Sequence, residues 1–176
     1  MTEIGSIIIR ELRDEEADAF VALCDVLDHE TELMMLEPGE RRSLAAEQRE
    51  EIRRTLGATN STILVADDRG RLIGYVAAYG GDYRRNRHSA AIVAGVLQAH
   101  AGQGVGRRLF EHLIRWAPEH GVTRLELTVM THNEPAVRLY RGMGFEVEGR
   151  RRRSLLVDGQ PVDEYAMALL LEPPRA

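Results

Sequence analysis

The residues best placed to do chemistry lie in Val96-Leu97-Gln98-Ala99-His100-Ala101-Gly102-Gln103-Gly104-Val105-Gly106. An apolar, strand-like run empties there into three alternating glycines, and an apolar-periodic helix pattern begins at once. Glycine accepts backbone angles that let successive N–H groups converge, and the start of a helix adds a positive dipole end. Together these features hold an anion such as a phosphate or pyrophosphate. The loop lacks the Gly-x-x-x-x-Gly-Lys pattern of a P-loop. The dinucleotide spacing Gly-x-Gly-x-x-Gly also fails, because Arg107 and Leu109 stand where its last glycine would fall.

A definite set of elements must position this loop. A strand over 6–12, with Ile7, Ile8 and Ile9, leads to a helix with Asp14 as N-cap and Ala17, Phe20, Val21, Cys24 and Leu27 at helical spacing. An irregular patch over 29–36 ends at the turn signal Glu37-Pro38-Gly39, and a second helix over 40–56 uses Leu44, Ala45, Ile52 and Leu56. Strands over 62–66 and 72–79 flank the hairpin signal Asp67-Asp68-Arg69-Gly70. A strand over 89–97 is interrupted by Gly95, a mark of a bulge or of close backbone approach.

Beyond the glycines, Val105, Leu109, Leu113, Trp116 and Ala117 trace one face of a helix that Pro118 and Gly121 close. Residues 124–130 alternate as a strand. Asn133 caps a short helix whose inner face carries Ala136, Leu139, Tyr140 and Met143 and which breaks at Gly142 and Gly144. Two last strands, from Phe145 to Leu171, meet at Asp158-Gly159, and the tail from about 172 reads as frayed. The order β-α-α-β-β-β-α-β-α-β-β combines early antiparallel strands with a parallel crossover. It predicts an α/β chain, residues 1–176 as one domain, with a mixed sheet of about seven strands and helices on both faces.

Composition narrows the function classes. The 176 residues are 29% charged and 44% hydrophobic with a net charge of -5, which gives no general attraction to nucleic acid or anionic membrane. The single cysteine, Cys24, excludes an internal disulfide framework and falls on an apolar stripe. The six histidines form no His-x-x-x-His pair, so no metal site is expected. No apolar run approaches the ~20 residues of a membrane span, and a cytoplasmic location is the default expectation.

A second motif lies one strand downstream of the glycines: Asn133-Glu134-Pro135-Ala136-Val137-Arg138-Leu139-Tyr140-Arg141-Gly142-Met143-Gly144-Phe145. With Val96 to Gly106 it resembles the GCN5-related N-acetyltransferase (GNAT) superfamily, and the resemblance covers nearly the whole chain. The ending, with Asp158-Gly159 and Asp163-Glu164-Tyr165-Ala166-Met167, is similar to a bacterial subgroup acting on small-molecule amines or amino acids. One departure stands out. The family usually carries Gln or Arg at the position of Ala101, and Arg107 or Arg108 is left to compensate.

The resemblance implies acetyl-CoA as cosubstrate, lying where the fourth and fifth strands splay, with Gly95 as a place for the distortion. It implies pantetheine against the backbone of Val96 and Leu97, and pyrophosphate against the N–H groups from Ala101 through Gly102, Gly104, Val105 and Gly106 to Arg107. Asn133 would meet the pantetheine arm. Tyr140 stands at the family's general-acid position, where a phenol of pKa about 10 can donate to the departing sulfur.

No carboxylate lies in the fourth strand, so His88, Glu30, Glu37 or a water chain are left as routes for the amine proton. The implied function is transfer of acetyl to a primary amine of a small molecule, an amino acid among the candidates. Acetylation of a protein N-terminus or lysine, or acyl-CoA binding without turnover, are the alternatives. Homodimerisation is common in that family and is a further expectation. Glu30, Thr31, Glu32, Met34, Met35 and Glu37 would form the acceptor pocket, the carboxylates suiting a cation and the methionines an apolar body. Arg84, Arg85 and Arg87 read as solvated loop charge, with the CoA 3′-phosphate as the alternative partner.

Overall fold

A computed structural model describes residues 7–43 and 45–173, without the side chains of 42, 43 and 45. Ser6, Leu44, the side chain of Ala45 and the tail beyond 173, on which some of the expectations above draw, lie outside the described residues. Seven strands form one sheet: β1 (Ile7–Glu11), β2 (Thr62–Asp68), β3 (Arg71–Gly80), β4 (Ser89–Val96), β5 (Arg124–Met130), β6 (Glu146–Val157) and β7 (Gln160–Leu170). Their order is β1-β2-β3-β4-β5-β7-β6, antiparallel throughout except for the parallel β4–β5 pair. The helices are α1 (Ala17–Glu30), α2 (Glu40–Ser43), α3 (Ala45–Gly57), α4 (Val105–Glu119) and α5 (Glu134–Gly142).

Local chemistry sets these elements. The β2–β3 hairpin turns on Arg69 and Gly70, both at positive φ (54° and 88°), and Asp67 Oδ1 accepts the Gly70 N–H at 2.6 Å. Asp14 does not cap α1; it opens a 3-10 turn, Asp14–Glu16, that leads into the helix. Phe20, Leu23, Cys24 and Leu27 then bury one stripe of α1, and the Phe20 ring meets Tyr75 of β3 edge-on at 4.9 Å. Leu109, Phe110, Leu113 and Ala117 bury the facing stripe of α4. Pro118 sits inside the last turn of α4 and Gly121 follows with φ 74°.

Neighbouring residues of a strand point to opposite faces, and β4 shows which helix covers which. A Cβ on Gly95 would stand 2.8 Å from Leu27 Cδ1 of α1, whereas Val96 reaches the Gly106 turn of α4. A side chain at Gly95 would therefore have to displace Leu27 of α1. Pairing of β4 with β3 runs without a register shift through it, so it is not a bulge.

A charge cluster closes the β1 edge. Arg10 donates to both carboxylate oxygens of Glu16 at 2.8 Å and to Asp67 Oδ2, and Arg13 adds a bond to Glu16 at 2.7 Å. The hydrogen bonds from Arg10, then Arg13, hold the Glu16 carboxyl well below the usual carboxylate range. A depressed folded-state pKa stabilises the fold above the unfolded value of about 4.3, and the contribution is lost as pH falls through that range. Glu16→Gln is accordingly expected to cost stability at pH 7 and progressively less towards pH 2, by urea unfolding at each pH. A wild-type-to-variant gap that stays constant with pH would assign the loss to packing instead.

Candidate active site

The β4–β5 pair is short. Ser89, Ala90 and Ala91 pair with Arg124, Leu125 and Glu126, and the two strands then part, with β4 continuing to Val96 and β5 to Met130. A cleft of about 850 Å³ fills the opening. Directly registered neighbours share a face, so Ala91 and Glu126 lie on the α1 face together with Val93, Gly95, Thr128 and Met130. Leu125, Leu127 and Val129 lie on the other face. Leu125 pairs with Leu169, which touches the Gly144 turn after α5. The cleft thus passes through the sheet, lined by the α1–α2 stretch on one side and by α4 and α5 on the other.

On the α4 side the strand exits through a 3-10 turn, Gln98–His100, into the glycines. Gly102 and Gly104 take φ of 71° and 80°, where side chains are strained, and a Cβ on either would meet nothing within 4 Å. Gly106 has a different reason: its Cβ would press on Leu139 Cδ2 of α5 at 3.2 Å. No side chain caps α4, and its first internal bond runs from Arg108 N–H to the Gly104 carbonyl at 3.1 Å. The N–H groups of Val105, Gly106 and Arg107 are then left without partners inside the helix, with the dipole behind them.

The expected cofactor residues fall into two groups. Val96, Ala101, Gly102, Gly104, Val105, Gly106, Arg107 and Asn133 line the cleft, as does Tyr140. Leu97 does not line it: the side chain is buried and its N–H donates to the Ile73 carbonyl at 2.9 Å. The Ala101 amide is likewise committed, to the Gln98 carbonyl at 3.1 Å, so the free amides begin after it. Arg108 turns away and donates to the Ile7 carbonyl at 2.7 Å, which leaves Arg107 as the arginine of the turn that lines the cleft.

Asn133 caps α5, its Oδ1 accepting the Ala136 N–H at 3.3 Å. That cap directs the helix so that Tyr140 reaches the cleft, its ring 5.2 Å from Phe110 and 6.0 Å from Phe145. Burial pushes the Tyr140 phenol up to about 12, so it is fully protonated at neutral pH. Burial also pushes the Cys24 thiol up to about 11, which suits a core cysteine and not a nucleophile.

The three side chains weighed for the amine proton separate clearly. Glu30 lines the cleft, its Oε2 accepting the Gln98 N–H at 2.8 Å. Glu37 does not line it, and the His88 carbonyl holds Thr123 and Arg124 at the closed end of the strand pair. Arg84, Arg85 and Arg87 enter β4 at that same closed end, roughly 20 Å along the strand from the glycine turn at ~3.3 Å per residue. The sequence reading missed Glu164, a buried carboxylate of β7 that lines the cleft.

A split between parallel strands, an uncapped glycine-rich helix start and a tyrosine at the gap make up the candidate site. The chain belongs to the acetyltransferase (GNAT) family, whose model matches residues 9–145. It is 33% identical over 106 residues to the L-amino acid N-acetyltransferase AaaT of Escherichia coli, covering 60% of this chain and 65% of that one. It is 45% identical over 73 residues to the N-alpha-acetyltransferase RimI of Mycobacterium tuberculosis, covering 42% of this chain and 43% of that one. The chain thus spans less than two thirds of the length of either relative. YncA of Salmonella typhimurium, solved with its cofactor acetyl-CoA, superposes with a TM-score of 0.80 at 22% identity over 98% of each chain. No described helix is long and apolar enough to cross a membrane.

Proposed function

We propose that this chain is an acetyl-CoA-dependent N-acetyltransferase whose acceptor is the primary amine of a small molecule. The observation that carries the reading is the cleft that pierces the sheet. One mouth offers free amides for an anion, and the other offers Met34, Met35 and Glu30 for an amine with an apolar body. The amides from Gly102 to Arg107 hold the pyrophosphate, the gap-facing edge of β4 at Val96 receives the pantetheine as an added strand, and the Asn133 NH₂ meets its amides.

When bound, acetyl-CoA would supply a thioester carbonyl to an amine that has given its ammonium proton to water in the open cleft. The C–N bond would form as the C–S bond breaks, and the remaining proton lost by the nitrogen would balance the thiolate as CoA thiol. Tyr140, which lines the cleft, would donate its Oη–H to the negative charge that develops on the sulfur. The apolar walls of Leu127, Val129 and Phe110 keep water from competing with the amine.

The test follows CoA thiol release with apolar amines, amino acids, polyamines and short peptides as acceptors. Release is expected with small amines. Activity confined to peptides, and rising with their length, would move the reading to N-terminal or lysine acetylation. Binding of acetyl-CoA with no acceptor-dependent release would move it to an acyl-CoA-binding module.

A further inference from the structure

The α1 face of the gap holds a charged group that the reaction above does not use. Glu164 of β7 pairs with Met130 at the end of β5 and with Arg151 of β6. Cross-strand partners share a face, so Glu164 joins Met130 and Thr128 on the α1 side, across the gap from Gly95 and Val93. It is 4% exposed yet lines the cleft, so its access is to the cleft.

Its one ion-pair partner among the described residues is Arg151, with Nη1 at 3.4 Å and a side chain 58% exposed. Charge-assisted bonds of this type close to about 2.7–2.9 Å. A carboxylate buried to this degree needs a cation beside it, and this one is held loosely by an arginine that lies mostly in water.

The adjoining strand is shaped around the same spot. The β6–β7 register slips between Arg151 and Leu155. Asp163 fastens the slip, accepting from Arg150 Nε and from the Arg153 N–H at 2.7 Å each, with Arg153 at φ 51°. The bulge ends regular pairing beside Glu164, and Leu155 beyond it joins the cleft wall.

We infer that Glu164 recognises the acceptor: a protonated amine docks on its carboxylate and displaces Arg151 into solvent, while the apolar body lies against Met34, Met35 and Leu155. One cation replaces another, so the buried charge is never left alone. The inference rests on the small-amine reading and narrows it to a cationic amine with an apolar body. The step is binding only; the docked ammonium gives a proton to water in the cleft before the neutral nitrogen attacks as proposed above.

Calorimetric titration of the CoA-saturated protein with phenylethylamine at pH 7, and with the neutral 2-phenylethanol, tests it. The wild type is expected to bind the amine and not the alcohol. Glu164→Gln should weaken amine binding about tenfold or more, as loss of a charge-assisted bond does. Arg151→Gln removes the competing cation and should tighten it severalfold, with CoA affinity unchanged in both.

A merely structural ion pair predicts the opposite for arginine. Both variants weakening the amine together, neither changing it, or equal binding of the alcohol would overturn the inference. Should Glu164→Gln fail to fold, the direction of the Arg151→Gln change decides alone. Docking with these signs but no acetyl transfer to any small amine would overturn the proposed acceptor class and leave the docking site standing.

Discussion

Tyr140→Phe is expected to lower kcat about a hundredfold or more while leaving the dissociation constant for acetyl-CoA within about twofold. Removing one donor aimed at developing charge typically costs 10²–10³ in rate, roughly 2.7–4 kcal/mol. The variant is clean because the contacts of the ring with Phe110 and Phe145 survive in phenylalanine. Thermal stability should therefore hold.

The elevated phenol pKa of about 12 shapes the mechanism. A thiol of ordinary pKa about 8.5 is the stronger acid, so in the proposed reaction complete transfer from Tyr140 would be uphill, and the phenol would act chiefly as a hydrogen-bond donor to sulfur. The protonated form is required and persists up to about pH 11. The Tyr140-dependent part of kcat should then show no alkaline fall between pH 7 and 10. A variant within a few fold of wild type would make Tyr140 a core aromatic and nothing more.

Asp28→Ala is expected to destabilise the fold by about 3–5 kcal/mol, as breaking a buried pair does. The Asp28 side chain is fully enclosed, and Arg41 closes on it with Nε at 2.6 Å and Nη2 at 3.1 Å. The bond joins the last turn of α1 to α2, and the stretch between them carries Leu33, Met34 and Met35 to the cleft. At ~2–4 °C per kcal/mol for a chain of this size, Tm should fall by about 6–20 °C. An Asp28→Leu, Arg41→Met double variant should recover much of the loss, since it leaves no unpaired charge. Acceptor KM should remain raised in the double variant, because the wall is repacked. Loss below about 1 kcal/mol in Asp28→Ala would show that the pair is dispensable.

Local signals carried much of the site. Gly102 and Gly104 stand where positive φ demands glycine, Gly106 where two helices touch, and Asn133 where a cap is needed. Each requirement is confined to a few neighbouring residues, so residue type alone exposes it. The expected element order is met strand by strand, because the apolar spacings reflect burial of one face.

What stayed hidden depends on contacts between distant segments. Glu164 directly follows Asp163, and nothing in that local spacing marks it as buried. Only the pairing of β7 with both β5 and β6 encloses it. Leu97 and Ala101 adjoin the glycines in sequence, but the Ile73 and Gln98 carbonyls hold their amides. Arg84, Arg85 and Arg87 precede the cofactor strand in sequence, but strand direction puts them at its far end.

The short β4–β5 pairing also determines how force and motion cross the molecule. Four strands hang together on one side and three on the other, and between them the ladder is only three residue pairs deep. Beside it the His88 carbonyl holds the Thr123 and Arg124 amides, and α4 bridges the two strands in sequence. The sheet is mechanically two plates on a short hinge. Widening the seam strains few backbone bonds, while β3–β4 and β5–β7 keep theirs intact.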